Sequence, residues 1–375
     1  MGRVAARSIA RVYGDEDRAR GVWRFEEALP DVARANQVTL GEGGTPLFAS
    51  RRLAAQLGIA ELLLKDESRN PTGTFKDRAL AISAGVALDR GLDGLVCAST
   101  GNAGASAAAY AAHAGIDAIV LVPAGATTAK LAQASICGAE LLVVRGTYSD
   151  AYALAAAAAS ALPYMNATTT FVNPHAVDGG RTMALELHEQ SGGEPPDWIV
   201  VPIGVGPLLV GMREAYEDLR RLGAVDRLPR LLAVQAAGCA PIVRAFDEHA
   251  DTVVGALADP LTGYEHEGLL TLRSIRATEG AAVAVEDELT LSWLRRLAVA
   301  EGLFVEPAAA TTLAGLERAV AKGWIHARDR VACCLTGTGV KDPTAALQAE
   351  EATLIDATEQ ALMERLGAAR VRRAA

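Results

Sequence analysis

The chain has 375 residues, half of them hydrophobic and 22% charged, which is a globular composition too long for one ordinary domain core. Lys and Arg number 36 against 45 Asp and Glu, giving a net charge of −9. This balance argues against a general nucleic-acid binder and against a protein that binds anionic membranes.

Neither a membrane segment nor a metal cluster is indicated by the sequence. No apolar run reaches the roughly 18 residues of a membrane span, and the start of the chain lacks the pattern of a signal peptide. The cysteines, which form no CxxC pair and no Cys/His zinc cluster, are Cys97, Cys137, Cys239, Cys333 and Cys334. We therefore expect a metal-free cytoplasmic enzyme with reduced thiols.

Short runs rich in Leu and β-branched residues alternate along the chain with longer Ala-rich segments of helical period. This alternation predicts an α/β fold with mostly parallel sheets covered by helices on both faces. The predicted strands are 62–65, 95–98, 118–122, 140–144, 198–203, 231–235 and 331–335. The predicted helices are 77–90, 103–114, 126–138, 149–161, 181–190 and 208–216.

Ligands in such folds gather where strands end and helices begin, and the first unusual junction is Asn-Pro-Thr-Gly-Thr-Phe-Lys-Asp-Arg at 70–78. Thr74 and Asp77 predict a capping box that starts a helix at Phe75. Lys76 then lies in the first helical turn, where the helix dipole disfavours an ammonium ion and burial would lower the pKa further. A neutral amine there can bond covalently to a carbonyl. The alternative is a solvated surface lysine beside Asp77.

The second junction, Ser99-Thr100-Gly101-Asn102, follows a predicted strand and precedes an Ala-rich helix. Small residues at a helix start expose unpaired backbone N–H groups, which suit a carboxylate or a phosphate. Simple helix capping by Thr100 or Asn102 explains the same residues.

The third junction is Gly204-Val205-Gly206-Pro207, between a predicted strand and a helix. Two glycines permit the backbone to approach an anion, although Pro207 donates no N–H group. A simple tight turn is the alternative explanation.

Together with four further motifs, these junctions resemble the threonine synthase family, which belongs to the fold-type-II enzymes that use pyridoxal 5'-phosphate (PLP). The matching segments are VTLGEGGTPL at 38–47, LKDE at 64–67, NPTGTFKDR at 70–78, ASTGN at 98–102, VEPAA at 305–309 and LTGTGVKDP at 335–343. The resemblance runs in the family's order from about residue 20 to residue 345. It favours a cofactor lysine over a surface lysine at position 76.

The resemblance implies a role for each matching position. Lys76 would carry PLP as a Schiff base and act as general base at the substrate Cα. Asn102 would form a hydrogen bond with the ring hydroxyl oxygen of PLP. Thr336 would be the hydrogen-bond partner of the pyridine nitrogen. Because Thr336 is neutral, this contact favours elimination and replacement reactions. The residues implied to cradle the cofactor phosphate are Gly204, Val205, Gly206, Pro207 and Leu208, and those implied to hold the substrate carboxylate are Ser99, Thr100 and Gly101.

The chain departs from the family where a substrate phosphate would bind. The family's Asn-Pro-Tyr-Arg is replaced by Asn173-Pro174-His175-Ala176, so the expected arginine is missing. The candidates for contact with the substrate are then Asn173, His175 and Arg181. Arg181 would equally form a structural ion pair. His175 donates only one hydrogen bond to a phosphate, whereas the missing arginine would donate two.

Three functions therefore stay open. The first is conversion of O-phosphohomoserine to threonine plus phosphate. The second is threonine/serine ammonia-lyase activity or β-replacement on an activated serine, and the third is non-catalytic binding of PLP or an amino acid.

The resemblance also implies a domain organisation. Residues 1–80 and 170–375 would form a larger PLP-binding domain, and residues 81–169 a smaller mobile domain, with the active site between them. We expect a cytoplasmic homodimer whose partner is a small amino-acid substrate, with no nucleic-acid or membrane partner.

Overall fold

The computed structural model describes residues 20–99, 101–124, 128–247, 265–343 and 354–374. The chain divides into two compact units, Met1–Asp342 and Pro343–Ala375. Both sheets described below belong to the first unit, and the described residues of the second include the helix Glu359–Ala374. No helix in these ranges has both the length and the apolar character to cross a bilayer.

Two separate sheets form the framework of the first unit. Their strands are β1 (Leu47–Ala49), β2 (Glu61–Asp66), β3 (Gly94–Ala98), β4 (Asp117–Pro123), β5 (Glu140–Val144), β6 (Tyr164–Asn166), β7 (Trp198–Pro202), β8 (Arg230–Ala236), β9 (Ala281–Val285) and β10 (Arg330–Leu335). The larger sheet has the strand order β1-β2-β10-β7-β8-β9 and the smaller the order β5-β4-β3-β6. All neighbouring strands are parallel except β1, which runs antiparallel to β2 at the edge.

Helices cover the sheets and connect the parallel strands. They are α1 (Arg51–Leu57), α2 (Lys76–Asp89), α3 (Asn102–Ala114), α4 (Thr128–Ile136), α5 (Tyr148–Ala161), α6 (His175–Gln190), α7 (Pro207–Arg221), α8 (Pro241–Asp247), α9 (Glu265–Ala277), α10 (Asp287–Glu301), α11 (Pro307–Ala321) and α12 (Glu359–Ala374). Short 3₁₀ helices lie at Gly21–Ala28, Arg34–Asn36, Glu67–Arg69, Ala237–Cys239 and Gly339–Lys341.

Helix α2 is the element that joins the two sheets. It packs against α3, which lies on the smaller sheet, and against α6, which packs on α7 beside the larger sheet. Leu80 on α2 shares one buried apolar cluster with Leu95 on β3 and Ala107 on α3. The first residue of α2 is therefore held between the two halves of the fold.

Helices α6 and α7 cross with their backbones in direct contact. A Cβ added at Gly180 would lie 2.7 Å from the carbonyl oxygen of Leu208, and one added at Gly211 would lie 2.2 Å from that of Val177. Only glycine permits this approach, which sets the position of the α7 N-terminus.

The expected fold class is confirmed, and each predicted strand is present with bounds that differ by at most one residue. The short strands β1, β6 and β9 were not predicted. Helix α6 begins six residues earlier than expected, α7 extends five residues further, and the predicted start of helix 126–138 lies partly outside the described residues. The domain boundaries at 80/81 and 169/170 stay a prediction.

Candidate active site

Residues from both sheets surround one cavity of about 630 Å³ at the carboxyl ends of β3 and β7. Parallel strands collect ligands at this end because helix N-termini converge there. Of the residues predicted from the sequence, the cavity is lined by Lys76, Ser99, Gly101, Asn102, Gly204, Val205, Gly206, Pro207 and Leu208. The three junctions, which are far apart in sequence, thus meet at one site.

Lys76 is the first residue of α2, and the backbone before it is fixed to the end of β10. The N–H group of Phe75 donates to the carbonyl oxygen of Thr336 at 3.0 Å, and the Thr74 hydroxyl donates to the same oxygen at 3.2 Å. Desolvation lowers the pKa of Lys76 to about 8, although the nearby Cys97 and Glu306 oppose this shift. The amine is therefore uncharged in a substantial fraction of molecules near neutral pH.

The predicted capping box at this helix is wrong. Phe75 is the N-cap residue and makes no side-chain capping hydrogen bond. The Asp77 carboxylate instead accepts from the N–H group of Thr72 at 2.7 Å and from the hydroxyls of Thr72 and Ser106. Burial raises the pKa of Asp77 to about 6. Asp77 therefore ties the Asn-Pro-Thr-Gly turn to α3, because its side chain points into the protein and not back toward Thr74.

Arg78 anchors the same helix to the larger sheet through a buried ionic network. Its guanidinium donates to Glu67 at 2.7 and 2.8 Å and to Glu186 at 3.1 and 3.2 Å. Lys65 on β2 donates to the same Glu186. Burial alone would raise the pKa of Glu186, but Arg78 and Lys65 hold it well below the usual range. The residues that flank Lys76 are thus rigidly positioned.

Asn102 is the first residue of α3 and donates from its side-chain amide to both carboxylate oxygens of Glu306, at 2.8 and 3.1 Å. Glu306 immediately precedes α11. Ser99 accepts a hydrogen bond from the N–H group of Gly101 at 3.1 Å. Thr100, which we predicted to contact the substrate, lies outside the described residues.

The glycine turn enters α7 in a conformation that requires glycine. Gly206 has a φ of +112°, and a Cβ there would lie 2.2 Å from the hydroxyl oxygen of Thr271. That hydroxyl donates to the carbonyl oxygen of Val205 at 2.7 Å, and the Gln235 amide donates to that of Gly204 at 3.0 Å. No described atom lies within 4 Å of a Cβ built on Gly204. The turn therefore leaves open space beside the first N–H groups of α7, an arrangement that suits a phosphate.

Four predicted site residues do not line this cavity. Thr336 is buried, and its carbonyl oxygen accepts a hydrogen bond from the N–H group of Phe75. Asn173 donates to the Ser83 hydroxyl at 3.0 Å, and the His175 ring contacts Asp178 at 2.9 Å. Arg181 pairs with Asp218 at 2.6 Å and with Glu214 at 3.5 Å, which is the structural ion pair that the sequence left open. The site roles assigned to these residues stay predictions.

Further residues line the cavity that were not predicted from the sequence. They include Gln133, Tyr148, Thr170, Gln235, Glu306 and Lys341. Glu306 and Lys341 lie in motifs that carried the resemblance, but neither motif reveals by itself which side chain enters a cavity. In the part of the chain that the structure describes, no group of three or more His, Cys, Asp or Glu residues is arranged to hold a metal ion.

The residues present fit PLP. Lys76 can bond to an aldehyde, the Asn102 amide can donate to a ring oxygen, and the turn at 204–208 can receive a phosphate at the start of α7. These groups line one cavity of about 630 Å³, a volume that holds a cofactor and a small amino acid.

Comparison with known proteins agrees with this fit. The profile of the family described as "Pyridoxal-phosphate dependent enzyme" matches residues 38–337. Threonine synthase of Methanocaldococcus jannaschii is 38% identical over 340 residues, covering 88% of this chain and 83% of that protein. Threonine synthase of Mycobacterium tuberculosis H37Rv is 37% identical over 348 residues, covering 92% and 95%.

Solved structures show the same architecture. A threonine deaminase from T.th. has a TM-score of 0.63 and 27% identity, covering 83% of this chain and 94% of that one. Maize serine racemase has a TM-score of 0.65 at 22% identity, covering 81% and 91%, and this likeness concerns the fold alone. Since the family profile and the relatives both span most of the chain, the protein belongs to the threonine synthase family of PLP-dependent lyases.

Proposed function

We propose that the protein is a threonine synthase, which converts O-phosphohomoserine and water into threonine and phosphate. The observation that carries this proposal is the meeting of Lys76, Asn102 and the 204–208 turn in one cavity. The threonine synthases of similar sequence over most of the chain support the choice of reaction.

Lys76 is proposed as the covalent attachment point and as the base at the substrate Cα. With a pKa of about 8, about one amine in ten is neutral at pH 7, against roughly one in 2,500 for an ordinary lysine. PLP, when bound, supplies the electron-withdrawing ring that makes the Cα proton removable. Lys76 Nζ then accepts that proton and returns protons later in the reaction.

Asn102 and the two helix N-termini are proposed to orient the reactants. The Asn102 amide, fixed by Glu306, would donate to the cofactor's ring oxygen. The N–H groups at the start of α3, next to Ser99 and Gly101, would bind the substrate carboxylate. Those of the 204–208 turn would bind the cofactor phosphate, with Pro207 contributing position but no hydrogen bond.

Closure of the cavity is part of the proposal. The lining comes from both sheets, so a movement of residues 81–169 against the remainder would exclude water until the substrate is committed. A homodimer in the cytoplasm stays a prediction.

Threonine/serine ammonia-lyase activity is the second candidate. It is favoured by the absence of any arginine among the described lining residues, because a substrate phosphate is usually gripped by a charge-assisted contact. The family assignment leaves the non-catalytic alternative without support.

A substrate panel tests the proposal. O-phosphohomoserine, threonine, serine, O-phosphoserine and O-acetylserine are assayed for phosphate, threonine and 2-oxo acid. We expect equal amounts of phosphate and threonine from O-phosphohomoserine. Formation of 2-oxo acid and ammonia from threonine or serine, without threonine synthesis, would establish the lyase alternative instead.

A further inference from the structure

A second lysine lines the cavity, and its buried amine has no hydrogen-bond partner among the described residues. Lys341, in the 3₁₀ helix Gly339–Lys341 that follows β10, lines the same cavity as Lys76. Its Nζ is hidden from solvent. Its Cε lies 3.7 Å from the position of a Cβ built on Gly73, so the stem rests against the Asn-Pro-Thr-Gly turn. A buried ammonium without an acceptor is costly unless a ligand supplies one.

The charges around the cavity leave a place for an anion beside Lys341. Lys76 and Lys341 are the cationic side chains among the described lining residues, and Glu306 is the lining carboxylate. Burial lowers the pKa of Lys341, whereas the charges of Asp77 and Glu306 raise it. Neither carboxylate accepts a hydrogen bond from the ammonium, so its donors are not already engaged.

Other sites already account for two anionic groups. The 204–208 turn, fixed by Thr271 and Gln235, suits the cofactor phosphate. The start of α3 suits the substrate α-carboxylate. Arg181 is engaged with Asp218 and Glu214, and neither Arg181 nor His175 lines the cavity. Of the basic groups described at the site, Lys341 is the one left for a third anion.

We propose that Lys341 binds the phosphate ester of the substrate side chain and so replaces the cation that is missing at Ala176. The inference rests on the proposed function, because it takes O-phosphohomoserine as the substrate. Lysine recognises phosphate as a point charge, and its four-carbon stem allows Nζ to follow the ligand. Lys341 is thereby a specificity-determining residue, which selects a phosphorylated side chain over a neutral one.

Binding to the PLP-loaded protein tests the inference without requiring turnover. The change in the visible spectrum is titrated with O-phospho-L-homoserine and with L-homoserine, for the wild type, Lys341→Gln, Lys341→Arg and the exposed control Lys322→Gln. We expect Lys341→Gln to lower the affinity for O-phospho-L-homoserine roughly 10- to 100-fold, which is the effect of losing a charge-assisted hydrogen bond. The affinity for L-homoserine should change by less than about twofold. Lys341→Arg should retain most of the preference for O-phospho-L-homoserine over L-homoserine.

An equal loss of affinity for both ligands would overturn the inference, since it would mean that Lys341 binds the α-carboxylate or serves as a structural counter-charge. Unchanged affinity for both would overturn it as well. If Lys341→Gln does not fold, Lys341→Met keeps the length of the stem without its charge and gives the same comparison.

The proposed function can fail separately. A wild type that binds O-phospho-L-homoserine but forms no threonine would contradict the threonine synthase reaction, while the loss of selective binding in Lys341→Gln would still support the assigned contact.

Discussion

The side-chain amide of Asn102 bonds both carboxylate oxygens of Glu306, at 2.8 and 3.1 Å, and so links the first turn of α3 to the residue before α11. One helix lies on the smaller sheet and the other on the larger. The contact therefore spans the cavity and places a carboxylate close enough to act on the charge of Lys76.

Removing that carboxylate should change the titration of Lys76. Glu306 raises the pKa of Lys76 by favouring its charged form, so Glu306→Gln should lower that pKa. The measurement is the pH dependence of PLP uptake by the cofactor-free protein, followed by absorbance, with Glu317→Gln, on the helix that follows Glu306, as control. A midpoint that stays in place or moves upward would contradict the electrostatic role of Glu306.

The wild-type midpoint is itself a prediction. The neutral amine reacts with an aldehyde, so uptake of PLP should increase as the pH rises through about 8 and then level off. An ordinary solvated lysine would give uptake that continues to rise toward a pKa of about 10.4. A curve of that second kind would show that Lys76 is not desolvated.

Lys76→Ala should abolish the covalent cofactor band and lower turnover by at least about 10²–10⁴-fold, the contribution of a positioned base. The fold should survive, because removal of a desolvated amine leaves no unpaired charge. Visible absorbance, turnover and the urea unfolding midpoint are measured together, with Lys322→Ala as control. Full activity in Lys76→Ala would refute the proposed mechanism.

The two glycines of the phosphate turn should respond differently to alanine. Gly206→Ala meets a positive φ and the Thr271 hydroxyl at 2.2 Å, so the cofactor-free protein should lose about 2 kcal/mol of unfolding free energy or more. Gly204→Ala has open space and should leave that free energy within about 1 kcal/mol. Its methyl group would instead occupy the proposed phosphate position and weaken PLP binding.

Urea unfolding and PLP titration of both variants separate these effects. Equal loss of stability in the two would mean that the turn is merely structural and would remove Gly204 from the phosphate site.

Arg78→Met should be among the most destabilising single changes in this region. It leaves Glu67 and Glu186 buried without their main counter-charge, which costs about 3–5 kcal/mol when one partner of a buried pair is removed. The control Arg221→Met removes an exposed arginine from Asp218, which keeps its ion pair with Arg181, and should cost no more than about 1 kcal/mol. Urea unfolding compares them, and similar losses would show that the buried network is dispensable.

The strands that could be predicted from the sequence are those with a strong apolar run. Glu140–Val144 matched at both ends, because its run of Leu and Val favours a strand even though it lies at the edge of the smaller sheet and is largely exposed. Strand β9 was missed because three of its five residues are alanine, which favours helices. Its pairing with β8 decides its conformation, and that pairing is not visible in local sequence.

The lining of the cavity was predictable where it comes from the connection between a strand and the next helix. Lys76, Asn102 and the 204–208 turn all lie at the start of a helix that follows a strand in the chain. Asp77 was misassigned because its acceptor groups meet Ser106, which is distant in sequence. Glu306 and Lys341 enter the cavity only through tertiary packing, so no spacing rule could have identified them.

The strand order has a consequence for synthesis on the ribosome. Strands β3 to β6 are contiguous in the chain, so the smaller sheet can pair as soon as residue 166 has emerged. The larger sheet keeps β2 apart from β7 until β10, translated last of its strands, is inserted between them. The loop that presents Lys76 is pinned to the end of that late strand, so a nascent chain cannot assemble its cofactor pocket before translation has passed residue 336.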